Sequence, residues 1–427
     1  MSSQVMGGGI AEEVAPRSQW LRAALLAVIA LCTYLHLPLT VGGQLLVPSF
    51  PTVALAPLLF LTVRRNLTTA DLVFVPTIAL VMLLSIALSP GYEYIQEKFL
   101  ALVQFAMALA VAVMVVRLMQ TISRELLEST LLALWCLILA GAILEVLDVI
   151  REASDSFRAW AYGGTYTLYG ASMRDMDLVG WSRPKFFSVE PSHVTKMFIA
   201  AINAWLLVKV TWGKSAVVAI ATLAMAVIMG SPMLLVSVAI TLVILAWNQR
   251  VRLGARVSMV FAVVLIGGLI GAQYGGSTLS SIGDRVASIG DARNPSRDVS
   301  SEQQRVVFPY LTLIDTWSRA PVFGVGVGGT EVVIEYNTLP VDRPLDALGN
   351  NALAEVGIFL GIVGGAWFIY LVLKQARQTG VRRFGLMLVI AALFSQLMGG
   401  LVGLQYWGFI ALLWGALAVA DSRQTEQ

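Results

Sequence analysis

The sequence predicts an all-α polytopic membrane protein of about 12 transmembrane helices with two large loops on one face. Three observations predict it. The 427 residues are 57% hydrophobic and only 13% charged, with a mean hydropathy of +0.78, a composition outside the soluble globular range. Apolar segments recur along the whole chain, most near the ~20 residues that a bilayer core requires. Lys and Arg are concentrated on alternate connections between those segments, as in a chain that crosses repeatedly.

Residues 1–19 are polar and glycine-rich, carry Glu12 and Glu13, and read as a disordered cytoplasmic arm. Residues 20–39 read as a retained first helix, because no convincing small-residue cleavage site follows and many apolar runs come after. Further spans are expected at 45–63, 72–88, 99–119, 131–150, 191–210, 215–229, 233–247 and 257–272, then at 351–373, 384–400 and 404–420. Together they make one membrane domain over 20–420, with a cytoplasmic tail at 421–427. The stretch 215–247 breaks at Gly230-Ser231-Pro232 into two short halves. Two spans and a re-entrant hairpin both return the chain to the same side, and two spans are expected.

Orientation follows from charge. With a cytoplasmic N-terminus, sixteen Lys and Arg from Arg17 to Arg423 fall on inside-facing segments, and only Lys98 on the short outside ones. That asymmetry puts both termini in the cytoplasm. Two loops, 151–190 and 274–349, then face outward. The first carries Arg151, Arg158, Arg174, Arg183 and Lys185 among Trp160, Tyr162, Tyr166, Tyr169 and Trp181; the second carries Arg285, Arg293, Arg297, Arg305, Arg319 and Arg343. Long outer loops are largely exempt from the charge rule. Their cations therefore suit an anionic ligand at the interface, or lipid headgroups. Val306, Tyr310, Ile314 and Trp317 recur at helical spacing, which predicts a short amphipathic helix lying on the membrane or capping a cavity.

The polar groups that are hardest to explain by membrane insertion alone form three sets. Arg183-Pro184-Lys185-Phe186-Phe187-Ser188-Val189-Glu190-Pro191-Ser192-His193 closes the first loop and opens a helix at Pro191. Ser188, Glu190 and Ser192 are expected to gather acceptors around that helix's unpaired N–H groups. Glu190 is the candidate general base, and His193, three residues on, can share its side of the first turn. Arg183 and Arg305, one from each loop, are candidates to bind a diphosphate and stabilise it as it leaves. The third set is Asn350, Asn351 and Glu355, with Gly357, Gly361 and Gly364 expected to permit close helix packing. Lys185, His193, Tyr310, Asn350, Asn351 and Glu355 are the candidate substrate-binding residues.

Other chemistries find little support. Asp175 and Asp177 form a D-x-D whose spacing is common in loops, so no metal is expected. Cys32 and Cys136 lie in apolar runs and suggest neither disulfide nor zinc. Gly324-Val325-Gly326-Val327-Gly328-Gly329 lacks a following Lys-Ser/Thr and falls on the outer side, so ATP is not the energy source. No cofactor and no nucleic-acid partner are expected.

With these residues in place, the chain resembles the O-antigen polymerase and ligase superfamily of membrane glycosyltransferases (Wzy-type polymerases among them). Arg183 followed by Phe187-x-x-Glu190-Pro191-Ser192 is similar to the polymerases' Arg…Phe-x-Glu-Pro-Ser. Arg305, then Pro321-x-Phe323-Gly324-Val325-Gly326, is similar to the long-loop Arg…Pro-x-x-Gly-x-Gly. Asn350-Asn351-x9-Gly361-x-x-Gly364 is similar to the ligases' His-Asn-x9-Gly-x-x-Gly. The resemblance implies a GT-C-like helical scaffold in the bacterial inner membrane. It implies transfer of a growing glycan from undecaprenyl diphosphate to an incoming lipid-linked repeat unit, with membrane lipid, a chain-length regulator and a flippase as partners. Asn350 replaces the ligases' His and cannot act as a base, which favours the polymerase branch over ligase activity. A lipid-oligosaccharide transporter is the competing class, but transporters place ionisable groups at mid-membrane, and here the charges gather in the loops.

Overall fold

The computed structural model describes residues 16–41, 44–166, 168, 170, 175–176, 180–231, 233–247, 308–336, 351–396 and 400–422. Helix α1 (Pro16–Leu35) is followed by a short antiparallel ribbon, β1 (Leu39–Val41) and β2 (Gln44–Val47), pairing Leu39 with Val47 and Val41 with Gln44. Then come α2 (Phe50–Ala54) and α3 (Ala56–Val63), each with a proline in its first turn. This corrects the single span expected at 45–63. Pro51 and Pro57 have no N–H to give and suit the first turn of a helix, and the chain begins a helix twice there.

Helix α4 (Thr69–Leu88) opens with a capping box in which Thr68 N–H donates to Asp71 at 2.7 Å and Asp71 N–H donates to Thr68 Oγ1 at 3.3 Å. Next are α5 (Ile95–Gln120), α6 (Arg124–Val146) and α7 (Arg151–Tyr162). Helix α7 occupies the start of what reads in sequence as a loop. Helices α8 (Pro191–Val208), α9 (Trp212–Met229) and α10 (Leu234–Trp247) follow. The span expected at 257–272 lies outside the described residues. The remainder is α11 (Phe308–Arg319), α12 (Thr330–Tyr336), α13 (Ala352–Gln378), α14 (Phe384–Ser395) and α15 (Leu404–Ser422). Among the described residues, seven helices are long and apolar enough to cross a membrane. Apart from the ribbon, the class is all-α membrane protein.

Helix α15 forms the centre: its span is 94% buried, against 33% for α1 and α4. It packs along α5 and α8, and α8 packs in turn against α6. A helix apolar around its whole circumference belongs inside the bundle, whereas α1 and α4 keep apolar faces for lipid.

Polar contacts sort the helix ends into two sets. At one end Arg124 donates to Val208 O (2.7 Å), Lys214 to Glu128 (2.7 Å), Gln120 to Thr379 O (2.5 Å) and Arg383 to Asp421 (2.6 Å). We refer to this as the basic end. The opposite end carries the 183–190 segment and is the loop end. Helix α9 starts at Lys214's contact with Glu128 and finishes where Trp181 Nε1 donates to Ile228 O at 2.9 Å. Helix α10 returns, and Trp247 fills the space beside Gly385 at the start of α14. The two helices therefore run between the two ends; α9 is one of the seven helices long enough to cross a membrane, and α10, at 14 residues, is shorter.

Helix α13 is broken at Gly361, whose φ of 63° and ψ of −165° are open only to glycine. Segment 321–326 enters the break. Val325 and Gly326 N–H donate to Ile358 and Phe359 O (both 3.0 Å), while Ile362 and Val363 N–H donate to Pro321 O (2.9 Å) and Val322 O (3.1 Å). The single O–H of Ser85 is shared between Phe323 O and Phe359 O, at 2.8 and 2.9 Å from Oγ. These freed backbone groups gain protein partners, the condition for non-helical backbone inside a membrane domain. Gly361 is thus a break point and not the packing position expected. Gly364 meets only Leu360 of its own helix; Gly357 does pack closely, against Leu313 and Trp317 of α11.

Candidate active site

The 183–190 segment is held by side chains from three helices. Glu145, near the end of α6, accepts Lys185 N–H at 3.1 Å and Phe186 N–H at 2.5 Å. Ser154 of α7 accepts Phe187 N–H at 2.9 Å. Arg158, also on α7 and buried, donates to Ser188 O (2.8 Å), Val189 O (2.9 Å) and the Asp155 carboxylate (2.7 Å). Tyr34 of α1 donates to Phe186 O at 2.6 Å, and Tyr162 to Phe187 O at 3.0 Å. This clamp holds Phe186 and Phe187 at φ of 40° and 64°, in the left-handed region that ordinary side chains avoid. The Phe186 ring fits because Gly141 of α6 has no side chain: a Cβ there would lie 2.2 Å from it.

On this platform Arg183 donates through Nε to the buried Asp175 carboxylate at 2.7 Å and through its backbone N–H at 3.2 Å. Asp175 thereby orients the candidate diphosphate-binding cation. Asp177 lies outside the described residues. Lys185 is buried, its Nζ 3.6 Å from Asp155.

Glu190 is the N-cap residue of α8 but makes no side-chain cap. Ser188 also turns away, donating to Lys185 O (2.5 Å) and Glu190 O (3.0 Å). The acceptors expected around the helix start are therefore used differently, because the backbone of the platform takes them first. The Glu190 carboxylate accepts from Ser192 Oγ. It stands 3.7 Å from His193 Nε2 and 3.9 Å from Lys196 Nζ, with 38% of its side chain exposed. An accessible carboxylate flanked by an imidazole and an ammonium can take a proton from a hydroxyl and keep the resulting charges balanced.

His36, the residue after α1, faces this group. Its ring lies 5.9 Å from His193 edge to face and 6.2 Å from Tyr166 in a stacked arrangement. Burial, with the nearby Lys196 charge, lowers the His36 imidazole from 6.5 to about 4, and burial pushes Tyr166 up to about 12. Both are neutral at physiological pH. His36 Nδ1 and Tyr166 Oη are buried with no hydrogen-bond partner among the described residues.

Tyr310, Asn351 and Glu355 form a second group at the same end. Asn351 caps α13 by accepting Ala354 N–H at 3.1 Å, and donates to Gln396 at 2.7 Å. Tyr310 donates to the same Gln396 oxygen at 3.1 Å. Glu355, buried, accepts Gly400 N–H (2.8 Å) and Leu401 N–H (2.5 Å). Both of its oxygens hold backbone in place. Gln405, in the first turn of α15, reaches from this side to Tyr34 O at 3.5 Å. Arg305 and Asn350 lie outside the described residues.

Sequence reasoning missed Glu145, Arg158 and His36 as parts of the site. Glu145 could have been found as a carboxylate inside an apolar run, which is rare without a role. His36 could have been found as one of the chain's two histidines. Nothing local marks Arg158, which differs from the other loop cations only in what it packs against. Among the described residues no group of three His, Cys, Asp or Glu is arranged to hold a metal. The chain matches no known family model and no curated relative.

Proposed function

We propose that this protein is a polysaccharide polymerase of the bacterial inner membrane, a glycosyltransferase that uses polyprenyl-diphosphate-linked oligosaccharides. The observation that carries the reading is the clamped segment from Arg183 to His193. It presents an oriented guanidinium and a partly exposed carboxylate, flanked by His193 and Lys196, at one end of a membrane bundle. In the proposed step a hydroxyl oxygen of the incoming unit attacks the anomeric carbon of the growing chain. The bond from that carbon to the diphosphate oxygen breaks, and polyprenyl diphosphate leaves with the electron pair. The hydroxyl proton passes to Glu190. Arg183, with Arg305 from the second loop, stabilises the departing diphosphate, the interaction that strengthens most in the transition state. The energy comes from the donor bond, without ATP.

The proposed setting is a GT-C-like scaffold of twelve spans with both termini in the cytoplasm and loops 151–190 and 274–349 in the periplasm. Membrane lipid, a chain-length regulator and a flippase are the proposed partners. The test is to incubate purified protein with undecaprenyl-diphosphate-linked repeat unit, without nucleotide and with a chelator. A ladder of lengthening products is expected. Absence of any ladder, with lipid-linked unit moving across reconstituted vesicles instead, would replace the polymerase by a transporter.

A further inference from the structure

We infer that His36 and Tyr166 form the recognition side of the site, receiving hydroxyl groups of the acceptor sugar beside the Glu190 carboxylate. This rests on the glycosyl-transfer reading above. Four observations point to it. His36 Nδ1 and Tyr166 Oη are buried polar atoms without a partner among the described residues, and buried polar groups in native proteins are nearly always satisfied. They belong to stacked rings, 6.2 Å apart, that come from positions 130 residues apart in the chain. His36 is held at φ 55°, outside the region that ordinary side chains prefer, and such strain is maintained where geometry serves a purpose. Finally, the His36 ring meets His193, the residue beside Glu190, so any ligand hydroxyl bound to the pair lies next to the candidate base.

The chemistry fits a neutral, hydroxyl-rich ligand. A neutral imidazole and a phenol can each donate or accept, which matches a hydroxyl's two-way hydrogen bonding. Neither ring carries a charge of its own, and the nearby Lys196 ammonium stands 3.9 Å from the Glu190 carboxylate. The diphosphate is therefore left to the arginines, and the sugar to the aromatic pair. A site built to bond a hydroxyl also discriminates strongly, since a ligand lacking that group leaves buried polar atoms unpaired.

The test uses the full-length protein in detergent or nanodiscs. His36→Phe and Tyr166→Phe keep the rings and remove the polar atoms. His36→Asn restores a hydrogen-bonding group and tolerates the left-handed backbone. Each is assayed for polymerisation as acceptor unit is varied. Losing one hydrogen bond to a ligand hydroxyl should raise the apparent KM for acceptor about tenfold, with kcat within about twofold, and His36→Asn should recover part of the loss. Wild-type KM in both Phe variants overturns the inference. A second arm measures binding of the delipidated repeat-unit oligosaccharide by saturation-transfer NMR, without turnover. Binding by wild type that both Phe variants weaken supports the sugar site even if no ladder forms, in which case only the transfer reading fails. Equal oligosaccharide binding by wild type and both variants, or none by wild type, overturns the inference. A variant that unfolds is replaced by the other of the pair.

Discussion

The Glu145 carboxylate accepts the backbone N–H of Phe186 at 2.5 Å, tying the end of α6 to a residue 41 positions later. With the parallel bond from Lys185, it fixes the only stretch in which two successive non-glycine residues among those described have positive φ. Glu145→Gln keeps one acceptor oxygen but turns an amide donor toward a backbone donor. Leaving one buried N–H unpaired costs about 1–3 kcal/mol. A lower midpoint of thermal unfolding and faster tryptic cleavage after Lys185 are expected. Unchanged midpoint and unchanged cleavage would show that the carboxylate does not anchor the segment.

Gly361 is the point at which segment 321–326 enters α13. A Cβ there would lie 2.5 Å from Gly324 N and from Val322 O. The backbone strain alone is worth about 1–3 kcal/mol, and the clash adds to it. Gly361→Ala should sharply reduce the monodisperse protein recovered on size exclusion. Gly364→Ala, where the added carbon meets only Leu360, should behave nearly as wild type. Equal recovery of the two variants would mean that α13 can run straight.

In the proposed reaction Arg183 and Glu190 serve different parts of the step. Arg183→Lys keeps the charge but loses the planar fork that Asp175 orients. Glu190→Gln keeps the size but cannot take a proton. Each should slow turnover ~10²–10³-fold with a smaller effect on KM, as should Arg305→Lys. Arg293→Lys, a change to a cation of the same loop outside the proposed diphosphate clamp, should be nearly silent. The readout is ladder formation at matched membrane expression. Normal product lengths from Arg183→Lys and Arg305→Lys together would end the diphosphate-clamp role, and a fully active Glu190→Gln would remove the base.

Topology is open to direct labelling. Ser156, exposed on α7, and Ser422, exposed at the end of α15, lie at opposite ends of the bundle. Each is changed to Cys in a background where Cys32 and Cys136 are Ser. In cells with a permeabilised outer membrane, an impermeant thiol reagent should label Ser156→Cys and spare Ser422→Cys. The reverse pattern would invert the orientation.

What the residues determined unaided was the class and the division of the chain into two kinds of end. Both follow from transfer energetics, which act residue by residue: apolar runs such as 404–420 must leave water, and cations such as Lys214 and Arg383 must stay near it. The tertiary structure decided everything that depends on where freed backbone groups find partners. No local signal tells that Gly361 breaks α13, since its N–H and C=O neighbours are satisfied by a segment some 40 residues earlier. Nor does spacing distinguish Glu355, whose two oxygens hold the backbone at Gly400 and Leu401, from Glu190, whose carboxylate keeps an exposed face beside His193. Both are carboxylates at the start of an apolar helix, and only long-range packing assigns one to holding the fold and leaves the other accessible for chemistry.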